Sequence, residues 1–251
     1  MNLRIAAQLI LPGLATALGA IPIFFTKNIS KKTINILLGF AAGVMLAATF
    51  FSLLVPSIEM GSGGVKGILI TSLGILVGCI VLDLIDRYLP HEHLITHDLE
   101  GKNTERLKKI WLFIIAITIH NFPEGLATGV ATLPDDPGNG LSIAIAIALQ
   151  NMPEGLAVAV ALKKEDYSNS FAFIIALITG LFEPLGAFIG YYLVQLSTAI
   201  LPFTLAFTAG AMLFVISDEI IPETHSEGNQ RGATYGLIIG FIIMMALDYL
   251  L

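Results

Sequence analysis

Long apolar runs separated by short polar segments make up nearly the whole chain. A membrane-spanning helix needs about 20 mostly apolar residues. By that measure the pattern predicts eight spans: 5–26, 34–56, 65–86, 109–132, 140–162, 171–195, 200–221 and 232–250. They are built from Leu, Ile, Ala, Val, Phe and Gly without the period-2 alternation of a membrane barrel, so each predicts a helix. Gly39, Gly43, Gly180, Gly186 and Gly190 suit close packing of helix on helix in lipid. The N-terminal run shares features with a cleaved leader, Arg4 ahead of an apolar stretch and small residues near Ala20. It continues to Phe25, long enough to span, and reads as the first helix.

Composition agrees. Apolar residues are 55% of the 251 positions and charged residues 13%, about half of what a soluble domain carries. A soluble enzyme, a disulfide scaffold and a disordered chain are excluded, and one all-α transmembrane domain over residues 1–251 is predicted. The net charge of −6 argues against a nucleic-acid partner. The single cysteine, Cys79, lies in an apolar run and reads as a buried thiol.

The basic residues are distributed unevenly. Loops on the side of the two termini hold Arg4 and Lys66, whereas the opposite loops hold the other eleven Lys and Arg. Cytoplasmic loops carry such an excess, so both termini are expected outside, in a multi-pass protein of a bacterial-type cytoplasmic membrane. The longest polar stretch, about 87–108, is then the cytoplasmic 3–4 loop. It holds His91, His93 and His97 among acids and reads either as a solvated loop or as a mobile metal-handling segment.

Three acids lie where acids are costly. Glu124, Glu154 and Glu183 fall near the middles of the fourth, fifth and sixth spans, at similar depth, and charge in the bilayer interior normally marks function. Three carboxylates at one level repel unless a cation or shared protons lie among them. Their surroundings repeat: HNFPEGLATGVA at 120–131 and QNMPEGLAVAVA at 150–161. Residues four apart share a helix face, so His120 projects with Glu124 and Gln150 with Glu154, with Asn121 and Asn151 beside them. Pro123 and Pro153 each free a carbonyl four residues earlier, and broken helices at the midplane are a recurring way to build ion sites. Glu183-Pro184 again sets a carboxylate beside a proline. Imidazole with carboxylate and amide oxygens suits borderline divalent metals, whereas calcium prefers an all-oxygen cage. Two bridging glutamates flanked by His, Asn and Gln would hold two ions.

With HNFPEG and QNMPEG on consecutive spans of an eight-span chain, the sequence resembles the ZIP family of divalent-metal transporters. FAAGVMLA in the second span, FEPLGA in the sixth and SDEIIPETH in the seventh are similar to its bacterial GufA-like branch. The resemblance implies a helical bundle, a homodimer, and inward transport of Zn²⁺, with Fe²⁺, Mn²⁺ or Cd²⁺ accepted as substrates and no cofactor. It also implies a binuclear metal site on His120, Asn121, Glu124, Gln150, Asn151, Glu154 and Glu183, with Met45 at the place of a thioether ligand. One position departs. Where zinc-transporting relatives frequently carry histidine this chain has Gln150, which argues against strict zinc selectivity. Asp218, Glu219, Glu223 and His225, at the cytoplasmic end of the seventh span, are either an exit site or a polar helix end.

Two other functions fit these residues less well. An intramembrane metallohydrolase needs a base of the HExxH kind; the chain carries HNxxE instead. A glutamate-lined cation channel leaves His120 and the paired asparagines without a role.

Overall fold

In the computed structural model, residues 3–26, 29–88, 91–92, 99–100, 109–132, 137–196, 198–225 and 230–250 are described. Helix α1 (Leu3–Ala20) runs into a 3₁₀ turn at Ile21–Phe24; α2 (Lys31–Ala48) continues through a π-helical segment, Thr49–Leu54, into α3 (Val55–Met60). Then come α4 (Gly64–Tyr88), α5 (Lys109–Ala131), α6 (Pro137–Lys164), α7 (Asn169–Gly180) and α8 (Phe182–Leu196). The chain ends with α9 (Leu201–Val215), a π segment at Ile216–Ile220, α10 (Ile221–His225) and α11 (Gln230–Leu250). Among the described residues, the single strand pairing is two residues long, His91 opposite Glu100 and Glu92 opposite Leu99. Among the described residues, seven helical units are long and apolar enough to cross a membrane, and α5 is a further long helix beside them. The fold is the expected all-α bundle.

Local chemistry sets several boundaries. Ser30 caps α2 by accepting from the Thr33 N–H at 3.1 Å, and Ser168 caps α7 by accepting from Phe171 N–H at 3.2 Å. The helix interruptions do not fall at Pro123 or Pro153, which lie inside unbroken α5 and α6. In a bundle, neighbouring helices and side chains absorb the single lost hydrogen bond. The sixth span does break, at Leu181 between α7 and α8. Pro184 gives the reason: it has no N–H for the Gly180 carbonyl, but it is tolerated in the first turn of α8, where N–H groups need no helical partner. The second and seventh spans keep going but loosen into their π segments.

Four helix pairings dominate: α2 with α11, α5 with α8, α4 with α9 and α1 with α6. Glycines make them close, and the contacts come in matched sets. A Cβ on Gly155 would strike the Thr16 carbonyl, and one on Gly125 the Glu183 carbonyl. Gly19 faces Met152 as Gly186 faces Phe122; Gly43 faces Leu237 as Gly210 faces Ile75; Gly78 faces Phe207 as Gly240 faces Phe40. One shift along the chain carries Gly13 to Gly180, Thr16 to Glu183, Phe40 to Phe207 and Met45 to Met212. The first three spans are thus an inverted repeat of the last three, and α5 and α6 exchange places with each other across the pseudo-two-fold axis. The sequence carries the same repeat: GLATALGA at 13–20 against GLFEPLGA at 180–187, and FAAGVML at 40–46 against FTAGAML at 207–213. Both π segments fall at matching places.

Candidate metal centre

The centre sits where α5 and α6 cross the pseudo-two-fold axis. The two helices are consecutive and antiparallel, so the first residue of one motif meets the glutamate of the other. His120 interacts electrostatically with Glu154, and Gln150 lies against Glu124. Glu124 also faces Glu154 and Glu183. The break at Leu181 brings the third acid in, because it starts α8 afresh with Glu183 in its first turn.

All seven residues are buried. Asn121, Gln150 and Asn151 are fully inaccessible, the three glutamates are 1–3% exposed, and His120 is 6% exposed. Both asparagines are held in the same manner. Asn121 donates its Nδ2 to the Thr179 carbonyl at 2.7 Å, and Asn151 donates its Nδ2 to the Pro12 carbonyl at 2.9 Å. Pro12 and Thr179 are themselves equivalent under the repeat. Asn151 Nδ2 also donates to Glu183 Oε1. Since main-chain carbonyls accept only from donors, the amide orientations are fixed, and both Oδ1 atoms are left without a hydrogen bond.

Other oxygens share that condition. Both carboxylate oxygens of Glu124, Oε2 of Glu154 and Oε2 of Glu183 are buried with no hydrogen-bond partner. Buried polar groups are otherwise almost always paired, and a buried carboxylate left unpaired costs several kcal/mol. The arrangement is therefore poor as packing and well suited to a cationic guest. Among the described residues no three His, Cys, Asp or Glu side chains converge closely enough to hold a metal by themselves; the amides of Asn121, Gln150 and Asn151 are interleaved with the acids.

The remaining candidates have other described surroundings. Met45 is 1% exposed and belongs to the apolar core with Leu53, Leu126, Ile143, Ile147 and Met212. His225 is engaged through both ring nitrogens: Nδ1 donates to the Ile221 carbonyl at 2.9 Å, and Nε2 lies 3.0 Å from the Thr234 hydroxyl. The side chains of Glu219 and Glu223 lie outside the described residues, as do His93, His97 and the side chain of His91. Sequence reasoning missed the contribution of α1, whose Pro12 carbonyl holds Asn151. The signal was present in the GLATALGA/GLFEPLGA repeat.

Comparison with known proteins agrees with this architecture. Residues 91–248 match the family described as Zip, ZIP Zinc transporter. The chain is 42% identical over 243 residues to the zinc transporter GufA of Myxococcus xanthus, covering 95% of each. It is 42% identical to the zinc transporter ZIPB of Bordetella bronchiseptica, over 93% of this chain and 77% of that one. With the zinc transporter ZIP11 of Xenopus tropicalis it shares 31% identity over 93% of each chain. With long apolar helices, buried acids at their crossing and relatives matched over most of the chain, the chain belongs to the ZIP zinc transporter family and is a multi-pass membrane transporter of metal ions rather than an enzyme.

Proposed function

We propose that the protein carries Zn²⁺, and with it Fe²⁺, Mn²⁺ or Cd²⁺, into the cytoplasm through a binuclear site formed by His120, Asn121, Glu124, Gln150, Asn151, Glu154 and Glu183. The observation that carries this reading is the set of buried, unpaired carboxylate and amide oxygens interleaved on the axis between α5 and α6. Divalent cations bound among them would supply the partners these oxygens lack. Glu124 and Glu154, one from each motif, bridge the two ions; His120 adds a nitrogen that favours transition metals over Ca²⁺ and Mg²⁺. The zinc named in the three relatives supports zinc as the principal cargo.

Direction and orientation rest on charge. Eleven of the thirteen basic residues fall on the loops opposite the termini, which supports reading those loops as cytoplasmic and both termini as external. A cation then moves inward down the membrane potential. All seven site residues lie on α5, α6 and α8, with α1 pinned against them. This group moves against α2–α4 and α9–α11 to expose the site alternately, and the unit is a homodimer in the cytoplasmic membrane.

The test is flux into liposomes reconstituted with the protein and loaded with a metal-sensitive dye, comparing Zn, Fe, Mn, Cd, Ca and Mg. At metal concentrations below saturation, where uptake follows affinity, zinc uptake should exceed that of Ca or Mg by roughly tenfold, as expected for a difference of about 1.4 kcal/mol in ligand preference. Glu154→Ala should abolish uptake while the apo protein melts at or above the wild-type temperature, since a buried, partly unpaired charge is removed. Calcium flux equal to zinc, or normal uptake by a folded Glu154→Ala protein, would overturn the reading.

A further inference from the structure

The inverted repeat pairs Glu183 with Thr16. Flanking residues match on both sides: Gly13 with Gly180, Gly19 with Gly186, Ala20 with Ala187. The contacts match as well, the Thr16 carbonyl receiving Gly155 as the Glu183 carbonyl receives Gly125. Glu183 is the acid that the sixth span brings to the centre, so the first span offers a neutral hydroxyl where its twin offers a charge.

That hydroxyl has no structural occupation. Thr16 is fully inaccessible, yet its Oγ1 makes no hydrogen bond. A threonine within a helix usually bonds the carbonyl four residues back, as Thr128 and Thr132 do here. For Thr16 that carbonyl belongs to Pro12, which instead accepts from Asn151. Asn151 bridges from there to Glu183. Thr16 Oγ1, Asn151 Oδ1 and Glu183 Oε2 are all buried without a partner, and the residues are linked through the Asn151 amide, which joins the carbonyl one turn before Thr16 to Glu183. Thr16 borders the break in the sixth span, its side chain packed against Gly180.

We infer that Thr16 is a further binding residue of the metal centre, its hydroxyl contributing a neutral oxygen from α1 beside Asn151 and Glu183. The inference rests on the proposed metal site. Thr16 thereby sets the charge of the centre: three acids face up to two divalent cations, where a strictly two-fold site would present four. The centre keeps a net positive charge when both ions are bound, which weakens retention and favours release.

The experiment uses the full chain in detergent, reading the rise in melting temperature with added Zn²⁺, and in liposomes, reading uptake. Thr16→Val is nearly isosteric and loses no hydrogen bond. It should leave apo melting unchanged or higher, reduce zinc affinity roughly tenfold, and raise the KM for uptake correspondingly. Thr16→Ser should bind like wild type. Thr16→Glu, which completes the symmetric fourth acid, should melt lower without metal and show a larger zinc-induced rise, with slower release. Wild-type zinc affinity in Thr16→Val overturns the inference, as does equal loss in Thr16→Ser, or a zinc-induced rise in Thr16→Glu no larger than wild type. Glu154→Ala run in parallel separates the two readings. If it binds zinc normally the site itself is wrong; if it fails while Thr16→Val binds normally, only the role of Thr16 is wrong.

Discussion

At Gln150 the two motifs differ in donor chemistry, and in the proposed centre that difference bears on which metal is preferred. His120 meets Glu154 across the axis, and Gln150 meets Glu124 at the equivalent place. One half of the centre thus offers an imidazole nitrogen and the other an amide oxygen. Gln150→His would make the halves alike. Nitrogen favours Zn²⁺ over the harder Mn²⁺, so manganese should compete with zinc uptake about fivefold less well, a change of about 1 kcal/mol. Uptake of zinc against rising manganese, wild type beside variant, is the measurement; equal competition would make Gln150 an orienting amide only. The asparagines act differently. Each spends its nitrogen on a main-chain carbonyl of a neighbouring helix and keeps its oxygen free, so replacement by aspartate removes the donor that aims it. Asn121→Asp should therefore lose most zinc uptake despite adding a carboxylate, which a ligand count alone would not anticipate. Normal uptake by this variant would show that the Thr179 contact does not position it.

Helices matter here through how closely they approach. Gly125 sits directly after Glu124 and admits the main chain of α8 at Glu183, so one glycine both packs the pair and sets the spacing of two acids. A Cβ at that point meets backbone, which cannot rotate away. Gly125→Ala should force α5 and α8 apart, lower stability by about 1–3 kcal/mol, and cut zinc uptake out of proportion to the loss of folded protein. Melting temperature and flux measured on the same preparation check it, and undiminished flux per folded molecule would separate packing from site geometry. The break at Leu181 is the complementary device. By restarting the helix one residue before Glu183, it places that carboxylate in a first turn, where a negative charge is favoured by the helix dipole. Pro123 and Pro153 were legible as helix perturbations, but whether a proline breaks a helix depends on its neighbours, and the packed α5 and α6 carry theirs without interruption.

Over the whole molecule, orientation and the polar loop are open to direct measurement. With Cys79, the one cysteine, replaced by serine, single cysteines placed at Asn2 or Asp136 should react with an impermeant thiol reagent added outside cells. One at Asn103 should react only after the membrane is opened; the reverse pattern would invert the proposed direction of loops and termini. Membrane class, the all-helical fold and the acidic motifs followed from the sequence alone. The cost of polar groups in lipid is so large that hydropathy and three misplaced carboxylates leave few alternatives. The inverted repeat was also written there, in GLATALGA and GLFEPLGA, but identical small residues say nothing of which helices they join. Only the tertiary structure decided that His120 approaches Glu154 and Gln150 approaches Glu124, that Asn151 is anchored on the Pro12 carbonyl, and that Thr16 stands opposite Glu183. Those are contacts between distant segments, set by how closely glycines let backbones approach. Periodicity along one helix gives the face on which a residue lies but not the partner across from it.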